Sequence, residues 1–216
     1  TLRQSTDEGV LFPVVLSSNG VLPGIKVDQG KTPLTESSLE TVTQGLDGLV
    51  DRLTEYVDLG AKFAKWRAAF VISKTLPSDE VIQLNTEGLA NYALACQEAG
   101  LVPMVEPEML IDGNHSIDRC EEATTKVWDA LFKALDAKGV HLPGCILKTS
   151  MILSGVDADN RASKEEVAKR TLEALKKHIP SELAGVVFLS GGQGDEEATE
   201  HLNLMNQEKG LPWPLS

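Results

Sequence analysis

Apolar residues gather along the chain in five short runs, at positions 21–27, 63–72, 101–105, 145–147 and 185–189, with longer mixed segments between them. Each run is short enough for a strand buried on both faces. Gly100, Pro143 with Gly144, and Gly185 punctuate several of them. The intervening segments have helical spacing. Leu39, Val42, Leu46, Leu49, Val50, Leu53 and Val57 fall at three- and four-residue steps and predict a helix over 37–59. Pro77, Ser78, Asp79 and Glu80 read as a helix start that Gly100 closes. A third pattern covers 116–138 and stops at Gly139. Ser163 and Glu166 have capping-box spacing, and Lys176, Lys177 and His178 suit the far end of that helix. Asp195, Glu196 and Glu197 open the last one. Strand and helix alternate throughout, which predicts an α/β fold with a parallel sheet, in one domain over 1–216.

The polar residues at the strand ends form a second pattern. Lys26 and Asp28 end the first run, Lys65 and Arg67 lie in the second, Glu106 and Glu108 follow the third, Lys148 follows the fourth, and Ser190, Gly191 and Gly192 follow the fifth. Successive groups lie 39 to 42 residues apart, a plausible length for one strand-plus-helix unit. Residues i and i+2 of a strand share a face, so each pair is expected to be co-facial. Carboxyl ends of parallel strands are where barrel active sites are built. A single such pair is more often a structural ion pair than a site; a recurrence in step with the strands favours a site. Four cations and three anions there sum to +1, in a chain whose net charge is −12. That suits an anionic ligand.

A lysine after three apolar residues, as in Cys145, Ile146, Leu147 and Lys148, has a specific chemical use. Lysine attacks a carbonyl only as the free amine, about one molecule in 10³ at pH 7 for a pKa near 10.4. Desolvation and neighbouring cations, here Lys65 and Lys26, raise that share. The resulting Schiff base is an electron sink for carbon–carbon cleavage, and Glu106 with Glu108 offers a carboxylate pair for proton transfer. Ser190, Gly191 and Gly192 let backbone N–H groups approach a phosphate, or simply make a βα turn.

These motifs, "GIKVD" (24–28), "TQGLDGL" (43–49), "AKWR" (64–67), "VPMVEPE" (102–108), "ILK" (146–148) and "FLSGGQ" (188–193), resemble class I fructose-1,6-bisphosphate aldolase over essentially the whole chain. The resemblance implies a (β/α)₈ barrel, of which these residues supply about five central βα units, and reversible cleavage of fructose 1,6-bisphosphate to dihydroxyacetone phosphate and glyceraldehyde 3-phosphate. It assigns Lys148 the Schiff base, Glu106 the main proton transfers, Lys65 the carbinolamine step and Glu108 the orientation of the lysines. Lys26, Asp28 and Arg67 then serve one phosphate end of the substrate, and Ser190, Gly191 and Gly192 the other. It further implies a cytoplasmic homotetramer with no cofactor. Thr149 stands where the family usually has proline, which is expected to loosen the backbone. The family's first-strand and eighth-strand site residues and its C-terminal tail find no match, so the chain reads as an internal portion ending just before the eighth strand. Expressed alone it is expected to be loosely folded and inactive.

Composition sets the alternatives. The acidic balance argues against nucleic acid and anionic membrane surfaces as partners, and no apolar run approaches 18 residues. Three cysteines without a C-x-x-C pair fit a reducing compartment. His115, His141, His178 and His201 are scattered and read as exposed or satisfied, which disfavours a zinc-dependent aldolase. Two rivals remain: another phosphate-binding Schiff-base barrel lyase, and a non-enzymatic scaffold on an aldolase frame.

Overall fold

The computed structural model describes residues 2–216. Five strands, β1 (Gly24–Lys26), β4 (Phe63–Phe70), β5 (Val102–Met109), β6 (Ile146–Thr149) and β7 (Gly185–Phe188), form a sheet in that order. Every pairing in it is parallel. Helices α2 (Leu49–Asp58), α3 (Asp79–Glu98), α4 (Ile117–Ala137) and α5 (Lys164–His178) make the crossovers, and α6 (Asp195–Asn206) follows β7. Each new strand adds beside its predecessor, which is the connectivity of a (β/α)₈ barrel.

The helix starts follow from local chemistry. Ser78, Ser116 and Ser163 each accept a hydrogen bond from the backbone N–H three residues on, satisfying a donor that the helix leaves free. At the far ends, Gly100 and Gly139 take φ of +80° and +70°, and the next residue's N–H turns back to Cys96 O and Leu135 O. Between sheet and helices lie Trp66, Phe70, Tyr92, Trp128, Leu131 and Leu147, all buried. The Trp66 and Tyr92 ring centroids lie 5.4 Å apart, with the ring planes tilted by 30°.

Several boundaries differ from those expected. The helix predicted over 37–59 begins only at Leu49. Before it stands an antiparallel hairpin of β2 (Lys31–Pro33) and β3 (Thr41–Thr43). The apolar steps that suggested a longer helix are not a buried stripe: Leu39 is 74% exposed, and Leu46 is also exposed. Gly45 and Gly48 take φ of +125° and +63°, which breaks the helical path between hairpin and α2. The run at 21–27 yields only a three-residue strand, Val21 and Leu22 being exposed. Conversely β5 runs on to Met109, so Glu106 and Glu108 lie within it rather than after it. A short helix α1 (Phe12–Ser18) had no counterpart in the pattern. Finally, residues 214–216 already lie parallel to β7, with Val186 N–H donating to Pro214 O and Phe188 N–H to Ser216 O. The chain therefore reaches the position of the next strand.

Candidate active site

Parallel pairing sets Lys26 beside Lys65 and Arg67 beside Glu106. The β5–β6 register runs from Met104 opposite Ile146 to Val105 opposite Leu147; one step further brings Lys148 alongside Glu106. Strand geometry thus lines up charges that are far apart in sequence.

Glu106 lies at the centre of these charges. Its carboxylate is 3% exposed, Lys65 Nζ lies 2.5 Å from Oε2, and Lys148 Nζ lies 3.0 Å from Oε1. A buried carboxylate needs compensating charge, and here two ammoniums supply it, one from each flanking strand. The contact at Oε2 is ionic, that oxygen having no hydrogen-bond partner among the described residues. Lys148 keeps 27% of its side chain exposed, so it borders solvent while Glu106 does not.

The remaining charges form a second group. Lys26 pairs with Asp28, whose other oxygen accepts the Arg67 N–H at 3.2 Å. The Arg67 guanidinium pairs with Glu108, and that hydrogen bond raises the guanidinium pKa further. Two expectations change here. Lys26 is engaged with Asp28 rather than set beside Lys148. Glu106 and Glu108 share a strand face but do not act as a mutual pair, because each has its own cation.

Ser190, Gly191 and Gly192 form the turn after β7. Gly191 and Gly192 take φ of +59° and +89°, and a Cβ on Gly192 would lie 2.9 Å from Ile111 Cδ1, so glycine is required there. Buried Gln193 braces this turn: its Nε2 donates to Ser190 O at 2.8 Å, and its Oε1 lies 2.6 Å from His201 Nδ1. The contact with Ile111 sets the turn against the loop that follows β5, at the same end of the sheet as Glu106.

The histidines read as exposed or satisfied are not uniformly so. His201 is buried and bonded to Gln193, whereas His115 is buried with neither ring nitrogen hydrogen-bonded among the described residues. Burial holds the pKa of both below the ordinary histidine value. Among the described residues no three His, Cys, Asp or Glu side chains gather to hold a metal ion. Burial pushes the thiols of Cys96 and Cys145 up to about 12. Thr149, expected to loosen the chain after Lys148, is instead fully buried and held: Trp128 Nε1 donates to its Oγ1 at 3.2 Å, and Leu189 N–H to its O at 3.1 Å.

Sequence reasoning missed the residues that brace this edge. Arg52 of α2 donates to Val27 O and Gly45 O, gripping the strand end between Lys26 and Asp28. Asn85 of α3 binds the hairpin backbone at Thr41 O and Thr43 N. Its only signal was an amide on the apolar side of a predicted helix.

A parallel βα sheet with a buried carboxylate held between two lysines defines a lysine-centred protein of the (β/α)-barrel class. The family model "Fructose-bisphosphate aldolase class-I" matches residues 1–216, and the chain belongs to that family. The relative "Probable fructose-bisphosphate aldolase class 1" of Xanthomonas axonopodis is 52% identical over 100% of this chain and 65% of its own length. "Fructose-bisphosphate aldolase 4, cytosolic" of Arabidopsis thaliana is 49% identical, over 100% of this chain and 55% of its own. Fructose-bisphosphate aldolase from Plasmodium falciparum, solved with TRAP and a small-molecule inhibitor, superposes with a TM-score of 0.97 at 43% identity. That match covers 100% of this chain and 62% of the other. The chain thus spans less than two thirds of the length of these relatives. Among the described residues no helix is long and apolar enough to cross a membrane.

Proposed function

We propose that the protein cleaves and re-forms fructose 1,6-bisphosphate through an imine on Lys148, giving dihydroxyacetone phosphate and glyceraldehyde 3-phosphate. The observation that carries this reading is the single buried carboxylate touching both lysines. Lys148 attacks the substrate ketone. Glu106, 3.0 Å from Nζ, is within reach to move the protons that carbinolamine formation and dehydration require. Lys65, on the other oxygen, steadies the charge that Glu106 gains and loses. Glu106 takes the C4 hydroxyl proton as the C3–C4 bond breaks, the aldehyde fragment leaves, and the bond pair moves into the iminium to give an enamine. Return of a proton to C3 restores the iminium, and water hydrolyses it to dihydroxyacetone phosphate and free Lys148. Glu108 fixes Arg67, which with Lys26 and Asp28 faces one phosphate end; the turn of Ser190, Gly191 and Gly192 receives the other. Family membership supports the same reaction, although the resemblance gave Glu108 to the lysines and the structure pairs it with Arg67. A relative named as cytosolic supports a cytoplasmic setting, and the homotetramer stands on the resemblance alone.

Borohydride reduction of the full chain with dihydroxyacetone phosphate, followed by peptide mass mapping, tests the assignment. The expected adduct is on Lys148, and cleavage is expected to be insensitive to EDTA. An adduct on Lys26 or Lys65 would sink the assignment. Cleavage of other sugar phosphates in preference to fructose 1,6- or 1-phosphate would point to a different Schiff-base lyase. An intact fold without imine or cleavage would make it a scaffold.

A further inference from the structure

The edge between β5 and β6 is interrupted beside the proposed imine lysine. Backbone N–H groups alternate sides along a strand. Leu110 donates to Phe70 O, toward β4, so Met109, Pro107 and Val105 face β6. Pro107 has no N–H, and the β5–β6 register stops at Val105 opposite Leu147. Glu106 and Lys148 thus meet where backbone pairing gives out. Two residues on, a side chain takes over: Met109 N–H donates to Ser150 Oγ at 3.0 Å, and Ser150 Oγ donates to Met109 O at 3.1 Å. Ser150 is buried, so water does not compete for these bonds. Its hydroxyl occupies the place of a missing strand partner, two residues beyond Lys148 on one side and opposite Met109, the neighbour of Glu108, on the other.

We propose that Ser150 is a positioning residue for Lys148: its hydroxyl rejoins β5 to β6 past Pro107 and thereby sets the reach of Lys148 Nζ to Glu106. Its kinetic consequence rests on the aldolase reading above. Ser150→Ala in the full chain removes both bonds and orphans the Met109 N–H. The expected result is a fall in kcat of about 10- to 100-fold with KM for fructose 1,6-bisphosphate little changed, since a reacting group displaced by about 1 Å loses on that scale. Ser150→Thr, which keeps the hydroxyl, is expected to restore most of kcat. Ser150→Cys, which keeps the volume but bonds weakly, serves should the alanine variant fail to fold, and is expected to lie between the two. A second readout needs no turnover: acylation of Lys148 by acetic anhydride, mapped by mass against exposed Lys31, is expected to rise severalfold in the alanine or cysteine variant. Unchanged kcat and unchanged acylation, with only a lower melting temperature, would reduce Ser150 to a structural tie and overturn the proposal. Absence of imine in the unaltered protein would refute the aldolase reading instead, leaving the acylation result to decide the role of Ser150.

Discussion

At the scale of single residues, Glu106 governs the site because it is both buried and shared. Replacing it with glutamine keeps the shape but leaves two ammoniums facing a neutral amide that cannot take up a proton. Turnover of Glu106→Gln is expected to fall by about 10²–10⁴-fold, the usual contribution of a general acid–base group. Substrate binding, which in the proposed reaction draws on Lys26, Arg67 and the turn after β7, should largely survive. Steady-state kinetics with a binding titration checks this, and unchanged turnover would move the proton transfers to another group. Glu106, Lys148 and Lys65 were legible in the sequence because a charge next to an apolar strand run has few places to go. Which carboxylate meets which cation was not legible. That is decided by the stagger between strands, and Pro107 and Ser150 shape it from two separate stretches of chain.

At the scale of elements, the serine-capped helices and the five sheet strands could be read directly, since their signals are local. The β2–β3 hairpin could not. Thr41, Val42 and Thr43 fit a helical spacing as well as a strand, and what settles the matter is tertiary. Thr43 Oγ1 donates to Arg67 O at 2.9 Å, and Asn85 both accepts from Thr43 N–H at 3.0 Å and donates to Thr41 O at 2.9 Å. The hairpin is thereby fastened to α3 and to β4 beside Arg67. Asn85→Ala removes two bonds and leaves backbone groups unsatisfied in a largely buried setting, at a cost of about 1–3 kcal/mol. Urea unfolding of the variant is expected to show a lower midpoint with an unchanged slope; an unchanged midpoint would mean that the hairpin is held by packing alone.

At the scale of the whole molecule, acid should act through the two buried histidines. Burial holds the pKa of His115 and His201 below the ordinary value. As pH falls below about 6.5, the unfolded chain takes up these protons before the folded one does. Stability present above that pH is therefore lost as pH falls through the folded-state values. Urea midpoints taken from about pH 7.5 down to about pH 5.5 should decline, and His115→Gln with His201→Gln should flatten the slope. A slope that the double variant leaves untouched would place the acid sensitivity elsewhere.

The contact of residues 214–216 with β7 also bears on how the molecule meets its own kind. An exposed strand margin is a template on which foreign strands can add. On β7 that row of donors is occupied, Val186 and Phe188 giving their N–H groups to Pro214 and Ser216. At the opposite margin, β1 is only three residues long, follows Pro23 and ends on charged Lys26. Among the described residues one side is thus shut by the protein's own backbone, and the row that β1 presents is brief and charged.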